Sequence, residues 1–192
     1  MEAKQIIKWL QLFTDKVGEN KAYLSELDTP IGDGDHGANM ARGTSEMMKS
    51  IEEKKPETPT DVFKLAAMTL ISKVGGASGP LYGSAFMGMT KASMKSDDLV
   101  TILEGGMSEI QKRGKSEPGE KTMLDTWSRV IESLKDGSLT EEKVKEIAEE
   151  TKEMKATKGR ASYLGERSIG HIDPGAMSSS YLFEAMIEAG VK

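Results

Sequence analysis

A chain of 192 residues with 37% hydrophobic content is long enough to bury one substantial core, and nothing in its length demands a second domain. It contains no cysteine, which excludes disulfides and thiolate metal sites, makes zinc improbable and fits a reducing, cytoplasmic setting. The net charge of −5, with acids and bases interspersed and aromatics at 5%, excludes the clustered basic and base-stacking surfaces that bind nucleic acid. The opening Met1-Glu2-Ala3-Lys4-Gln5 lacks the basic start of a signal peptide, and no apolar run approaches a membrane span, so a soluble protein without a membrane partner is expected.

The apolar residues Ile6, Leu10, Phe13 and Val17 recur at the spacing of one helical face and predict an amphipathic first helix, which Gly18 can end. A short helix over 20–27 then delivers Asp28 to Thr29-Pro30-Ile31-Gly32-Asp33-Gly34-Asp35-His36-Gly37. Three carboxylates crowd this glycine-interrupted stretch. Two carboxylates ~5 Å apart at an effective dielectric of ~20 repel by roughly 3 kcal/mol, a cost that a hard cation would reverse. Two readings fit: a magnesium or calcium cradle of oxygen ligands, or a solvated acidic turn capping the next helix. That helix is expected over 38–51, so the acidic loop lies at a helix N-terminus, where unpaired N–H groups favour phosphate.

Thr58-Pro59-Thr60-Asp61 is a helix-start signature with proline at the first helical position, and the helix it opens runs to about residue 74, apolar on more than one side. Gly75-Gly76-Ala77-Ser78-Gly79-Pro80 follows, with Pro80 placed to restart a helix. It lacks the Lys-Ser/Thr of a P-loop; a backbone phosphate cradle and a tight turn between closely packed helices both fit. Further helices are expected over 97–113, over 122–134 with Met123, Trp127, Val130, Ile131 and Leu134 as the apolar set, from the cap at Thr140 through Met154, and over 178–189. Residues 157–179, crowded with glycine, serine, Arg160, Arg167, His171 and the turn Asp173-Pro174-Gly175, make a loop of the length found in functional lids. Glu166 and Arg167 can pair with each other there. No stretch alternates as a strand, so an all-α chain of about eight helices in one domain, 1–192, is expected.

Taken together, the acidic loop, the 75–80 loop, Glu117-Pro118-Gly119-Glu120-Lys121-Thr122-Met123, and Gly159-Arg160-Ala161-Ser162-Tyr163-Leu164-Gly165-Glu166-Arg167-Ser168-Ile169-Gly170-His171 with Asp173-Pro174-Gly175 resemble the nucleotide-binding L subunit family of dihydroxyacetone kinases. These blocks span essentially the whole chain. The resemblance implies an antiparallel barrel of eight helices with a nucleotide at one end. It implies that Asp28, Asp33 and Asp35 hold two Mg2+, and that His36, Gly37, Ala38, Asn39, Ala77, Ser78, Gly114, Met123, Arg160, Asp173, Pro174 and Gly175 contact ADP or ATP, with Met123 suited to the adenine face. Asp28, Asp33, Asp35 and His36 form the implied catalytic set, His36 as a phosphate or metal-shell partner rather than a nucleophile.

This chain has no dihydroxyacetone-binding domain, so it is similar to the stand-alone, phosphotransferase-system type. In that system tightly bound ADP is phosphorylated by a phosphohistidine on an M subunit, and the ATP formed phosphorylates dihydroxyacetone held on a K subunit. Two alternatives stay open: a nucleotide-loaded regulatory module that performs no transfer, and a component of an ATP-dependent kinase.

Overall fold

The computed structural model describes residues 1–191. They form nine α-helices and two 3₁₀ segments: α1 (Ala3–Glu19), α2 (Lys21–Asp28), α3 (His36–Lys54), α4 (Pro59–Lys73), α5 (Ser78–Ser93), α6 (Leu99–Gly114), α7 (Met123–Lys135), α8 (Glu141–Glu149) and α9 (Pro174–Glu188), with 3₁₀ turns at Glu150–Glu153 and Arg160–Ser168. Local chemistry sets most starts. The side chains of Thr58, Asp98, Thr140 and Asp173 each accept a backbone N–H in the first turn of α4, α6, α8 and α9, and Thr122 with Asp125 forms a reciprocal capping box on α7.

Eight helices close a ring. α1 packs on α3, and α3 to α9 each pack on the next in order until α9 returns to α1; the short α2 lies against α3. The ring encloses one apolar core, to which the first helix contributes Ile6, Trp9, Leu10, Phe13 and Val17, all buried as their spacing predicts. Trp127 stacks edge-on against Phe183 at 5.0 Å, and Trp9 against Phe63 at 6.2 Å. Small residues bring α5 and α6 close: a Cβ on Gly88 would collide with the main chain of Gly105.

Three expectations need correction. The last helix begins at Pro174, four residues before 178, because Asp173 caps it through Ala176 N–H at 2.8 Å and Pro174 takes the first helical position; Asp173-Pro174-Gly175 is a helix start, not a free turn. The helix from Thr140 stops at Glu149 and tightens into a 3₁₀ turn before Met154. The segment after it is ordered by its own bonds, with Glu166 paired to Lys155 rather than to Arg167.

Consecutive helices of the ring run in opposite directions, joined by short connections from α3 to α8 and by longer segments, α2 with its loop and residues 150–173, elsewhere. The starts of α3, α5, α7 and α9 therefore lie together at one end, where His36, Ser78, Met123 and Pro174 line the same cleft.

Candidate functional site

The cleft at that end has a volume of about 470 Å³, within the range of small-ligand sites. Four helix N-termini border it, those of α3, α7 and α9 partly capped by Asp28, Thr122 and Asp173, and each turns the positive end of its dipole toward it. An anion is the ligand such a field favours.

The acidic loop forms one wall. Asp28 closes α2, and its carbonyl accepts N–H from Ile31 and Gly32, which winds the chain back over it. Its carboxylate Oδ2 accepts N–H from Asp35 at 3.0 Å and His36 at 3.2 Å, so this side chain caps the start of α3 from outside the helix. A Cβ at position 32 would collide with that carboxylate, and Gly34 has φ +75°, a conformation that L side chains rarely adopt. Carboxylate oxygens of Asp28, Asp33 and Asp35 lie within 4.8 Å of one another, Asp28 buried and the other two exposed. Burial raises the pKa of Asp28, as do the charges of Asp33 and Asp35, while N–H donation from His36 and Asp35 opposes the rise. Arg160 pairs with this cluster, its Nη1 2.5 Å from Asp33 Oδ2.

His36 lies behind this wall, buried, with hydroxyls on both nitrogens: Ser78 Oγ 3.0 Å from Nδ1 and Ser178 Oγ 2.9 Å from Nε2. Burial lowers its pKa to about 4, so the ring is neutral near pH 7. Ser78 opens α5 after Gly75, Gly76 and Ala77, with Gly76 at φ +65°. Pro80 is the third residue of that helix rather than its start.

The 114–123 segment forms the opposite wall. Asp125 accepts N–H from Gly119 at 2.5 Å and Thr122 at 2.7 Å, and Met123 presents a buried side chain beside Gly114, Pro174 and Gly175. Lys121, 1% exposed, donates through Nζ to the carbonyls of Met154 at 3.0 Å and Ser168 at 2.6 Å, tying the covering segment to this wall. That segment also seats Ala156 and Ala161 on Ile31, with Leu164 against them, so the cover and the acidic loop share a small apolar contact of their own. Asp173 sits at the base, where burial raises its carboxyl pKa to about 7 despite N–H donation from Ala176.

Of the residues expected to touch nucleotide, His36, Ala77, Ser78, Gly114, Met123, Arg160, Asp173, Pro174 and Gly175 line the cleft together with Asp28, Asp33 and Asp35. Gly37, Ala38 and Asn39 are not among the lining residues. Gly37 packs where a Cβ would strike the carbonyl of Lys21, and Asn39 lies against Gly75 while its Oδ1 accepts from Arg42 at 2.8 Å, which supports the glycine loop from behind. His171 also lies outside the lining. Arg113, Lys121 and Lys158 also line the cleft, and a hydroxyl cluster lies beneath His36; none of these was expected from the sequence. An unbroken basic signal is absent because Arg113 ends α6, Lys121 precedes α7 and Lys158 lies in the covering segment.

An all-α ring with an anion-directed, carboxylate-lined cleft at one end is the class that fold and site define. The chain matches the DAK2 domain family model over residues 30–188 and belongs to that family. It is 56% identical over 189 residues, 96% of both chains, to the protein of Listeria innocua described as PEP-dependent dihydroxyacetone kinase 1, ADP-binding subunit DhaL. It is also 56% identical over 182 residues, 95% of both chains, to the PTS-dependent dihydroxyacetone kinase, ADP-binding subunit DhaL, of Lactococcus lactis subsp. lactis. The crystal structure of the dihydroxyacetone kinase from C. freundii in complex with AMP-PNP and Mg2+ shares the fold with a TM-score of 0.77 at 23% identity, over 95% of this chain and 33% of that one.

Proposed function

We propose that this chain is the ADP-binding subunit of a phosphoenolpyruvate-dependent dihydroxyacetone kinase, working as a single nucleotide-binding unit in the cytoplasm with a K and an M subunit. Its bound ADP is phosphorylated from the phosphohistidine of the M subunit, and the resulting ATP phosphorylates dihydroxyacetone on the K subunit. The observation that carries this reading is the convergence of Asp28, Asp33 and Asp35 on a cleft faced by four helix N-termini, in a chain 56% identical over nearly its full length to ADP-binding subunits.

The donor set fits magnesium: three carboxylates, all hard oxygen ligands, with no thiolate or imidazole among them. Asp28, Asp33 and Asp35 would hold two Mg2+, which when bound neutralise phosphate charge and orient its oxygens. The remaining work falls to positioning, as phosphoryl transfer requires. Ser78 and the main chain of Gly75 to Ala77 face the phosphates, the starts of α3 and α5 complement their charge, and Met123 with Pro174 and Gly175 lies against the base. Arg160 is placed to exchange Asp33 for a phosphate oxygen. Neutral His36, with both nitrogens engaged, positions Ser78 instead of accepting a phosphoryl group.

The test is to purify the protein without added nucleotide and identify what it carries. Phosphoenolpyruvate, the phosphotransferase proteins, and the K subunit with dihydroxyacetone are then supplied. Co-purified ADP and phosphoenolpyruvate-dependent formation of dihydroxyacetone phosphate are expected. Absence of bound ADP, or free ATP replacing phosphoenolpyruvate at full rate, defeats the reading.

A further inference from the structure

Beneath the cleft a line of buried hydroxyls runs from the core to His36. Trp127 Nε1 lies 3.3 Å from Ser179 Oγ, which lies 3.0 Å from Tyr82 Oη; that oxygen is 2.7 Å from Ser178 Oγ, which is 2.9 Å from His36 Nε2. Nδ1 of the same ring is 3.0 Å from Ser78 Oγ at the cleft surface. Tyr82, Trp127, Ser178 and Ser179 are fully buried, so each proton must find an acceptor inside the protein.

That requirement gives the line a direction as far as Ser178, and the shorter of two distances gives it from there. The indole can only donate, so Ser179 Oγ accepts from Trp127. Ser179 Oγ has one other partner among the described residues, Tyr82 Oη, which must take its proton. The Tyr82 proton then goes to Ser178 Oγ. Ser178 has two acceptors for its own proton, His36 Nε2 at 2.9 Å and the carbonyl of Gly175 at 3.2 Å, and the nearer one is the imidazole. With Nε2 accepting, the ring proton sits on Nδ1 and is donated to Ser78 Oγ. The Ser78 proton is thereby left free.

We propose that Trp127, Ser179, Tyr82 and Ser178 form a one-way hydrogen-bond relay that holds His36 as its Nδ1–H tautomer and so turns the Ser78 hydroxyl proton into the cleft, as a donor to a phosphate oxygen. The last step rests on the nucleotide reading above; the tautomer does not. In the opposite tautomer Ser78 would spend its proton on Nδ1 and present only lone pairs to the cleft, the wrong polarity for phosphate. Tyr82 and Ser178 are therefore positioning residues, acting through His36 on a hydroxyl they never touch.

Nitrogen-15 NMR of the imidazoles tests this directly, since the chain has two histidines and His171→Gln identifies the signals of His36. In nucleotide-free protein near pH 7 the expected pattern is a protonated Nδ1 and an unprotonated Nε2. Tyr82→Phe, which keeps the ring and removes the hydroxyl, is expected to move the population toward Nε2–H and weaken ADP binding about tenfold, the effect of one hydrogen bond to a charged group. Ser78→Ala is expected to weaken it equally, and adding Tyr82→Phe to Ser78→Ala to weaken it little further. A protonated Nε2 in the unmodified protein overturns the relay whatever the cleft binds, as does an unchanged tautomer in folded Tyr82→Phe. An Nδ1–H ring in protein that binds no ADP instead overturns the phosphate step, and with it the nucleotide reading.

Discussion

Asp28 and Asp33 belong to one carboxylate cluster, yet the fold depends on them unequally. Asp28 is buried and holds the N–H groups of Asp35 and His36, so Asp28→Ala leaves two donors at the start of α3 without their partner, a loss of about 1–3 kcal/mol. Asp33 is exposed, and its pair with Arg160 is worth little in water, so Asp33→Ala is expected to change stability by no more than about 0.5 kcal/mol while abolishing transfer and loosening ADP. Urea melts beside ADP titrations separate the two effects; unchanged ADP retention in Asp33→Ala would remove that residue from the metal set. Asp173 contributes a pH dependence. Its folded pKa of about 7 lies above its ordinary value of 3.8, so between these values the folded state binds more protons and stability falls as pH rises. Nucleotide-free protein is expected to be more stable at pH 6 than at pH 8, by up to about 1 kcal/mol since the residue is only partly shielded. Thermal melts at the two values should show the difference in the parent and a flatter profile in Asp173→Asn, which keeps a capping oxygen.

Between the helices, the covering segment of residues 154–173 owes its order to a few polar bonds rather than to deep apolar packing. Lys121 is the central one, a buried ammonium whose two carbonyl acceptors are Met154, ahead of the Arg160–Ser168 turns, and Ser168, their last residue. Burial lowers its pKa, so the residue is held against its own desolvation by those acceptors and by the nearby charge of Asp173. Ser168 adds a second clasp, accepting N–H from Ala156 at 2.9 Å and donating to the carbonyl of Gly165 at 2.6 Å. Lys121→Met would fit the space but leave the carbonyls of Met154 and Ser168 unpaired, at a cost of about 1–3 kcal/mol. Hydrogen exchange is expected to quicken across 154–168 and to stay unchanged in α1 and α4, a local opening rather than a global one. Uniform acceleration across the chain would show instead that Lys121 supports the whole ring.

At the scale of the molecule, alternation of helix direction around the ring gathers four N-termini at one end and concentrates there a positive field that no single helix could supply. The acidic loop sits inside that field. Helix ends that favour anions and carboxylates that favour cations form a site complementary to a magnesium-bound phosphate, and either ligand alone meets half of it. ADP with Mg2+ at 100 times its Kd is therefore expected to stabilise the folded state by about 2.7 kcal/mol, and chelation of the metal to reverse most of this. Calorimetric melts with ADP, with Mg2+ and with both provide the check; full stabilisation by ADP without metal would separate the carboxylates from nucleotide binding.

Most of the helices and the make-up of the loops are legible in the amino-acid order alone. The 3.6-residue spacing of Ile6, Leu10, Phe13 and Val17, and the caps at Thr58 and Thr140, are local signals that act within a turn or two, so they are legible without the fold. The Asp28, Asp33 and Asp35 cluster was legible for the same reason, since seven residues of glycine-interrupted chain can bring them together. Where two local signals competed, the sequence was ambiguous: Asp173-Pro174-Gly175 is written like a turn and folds as a helix start. Which residues separated by many turns share a buried space is set by the closure of the fold. Tyr82, Ser178 and Ser179 look like ordinary helix residues in the sequence, and their line to His36 exists because α3, α5 and α9 present their inner faces to the same core. Lys121 likewise gives no local sign of its burial, because its acceptors lie 33 and 47 residues away. Hydrogen bonds across such separations depend on the closure of the whole ring, and that closure is a property of packing rather than of any one segment.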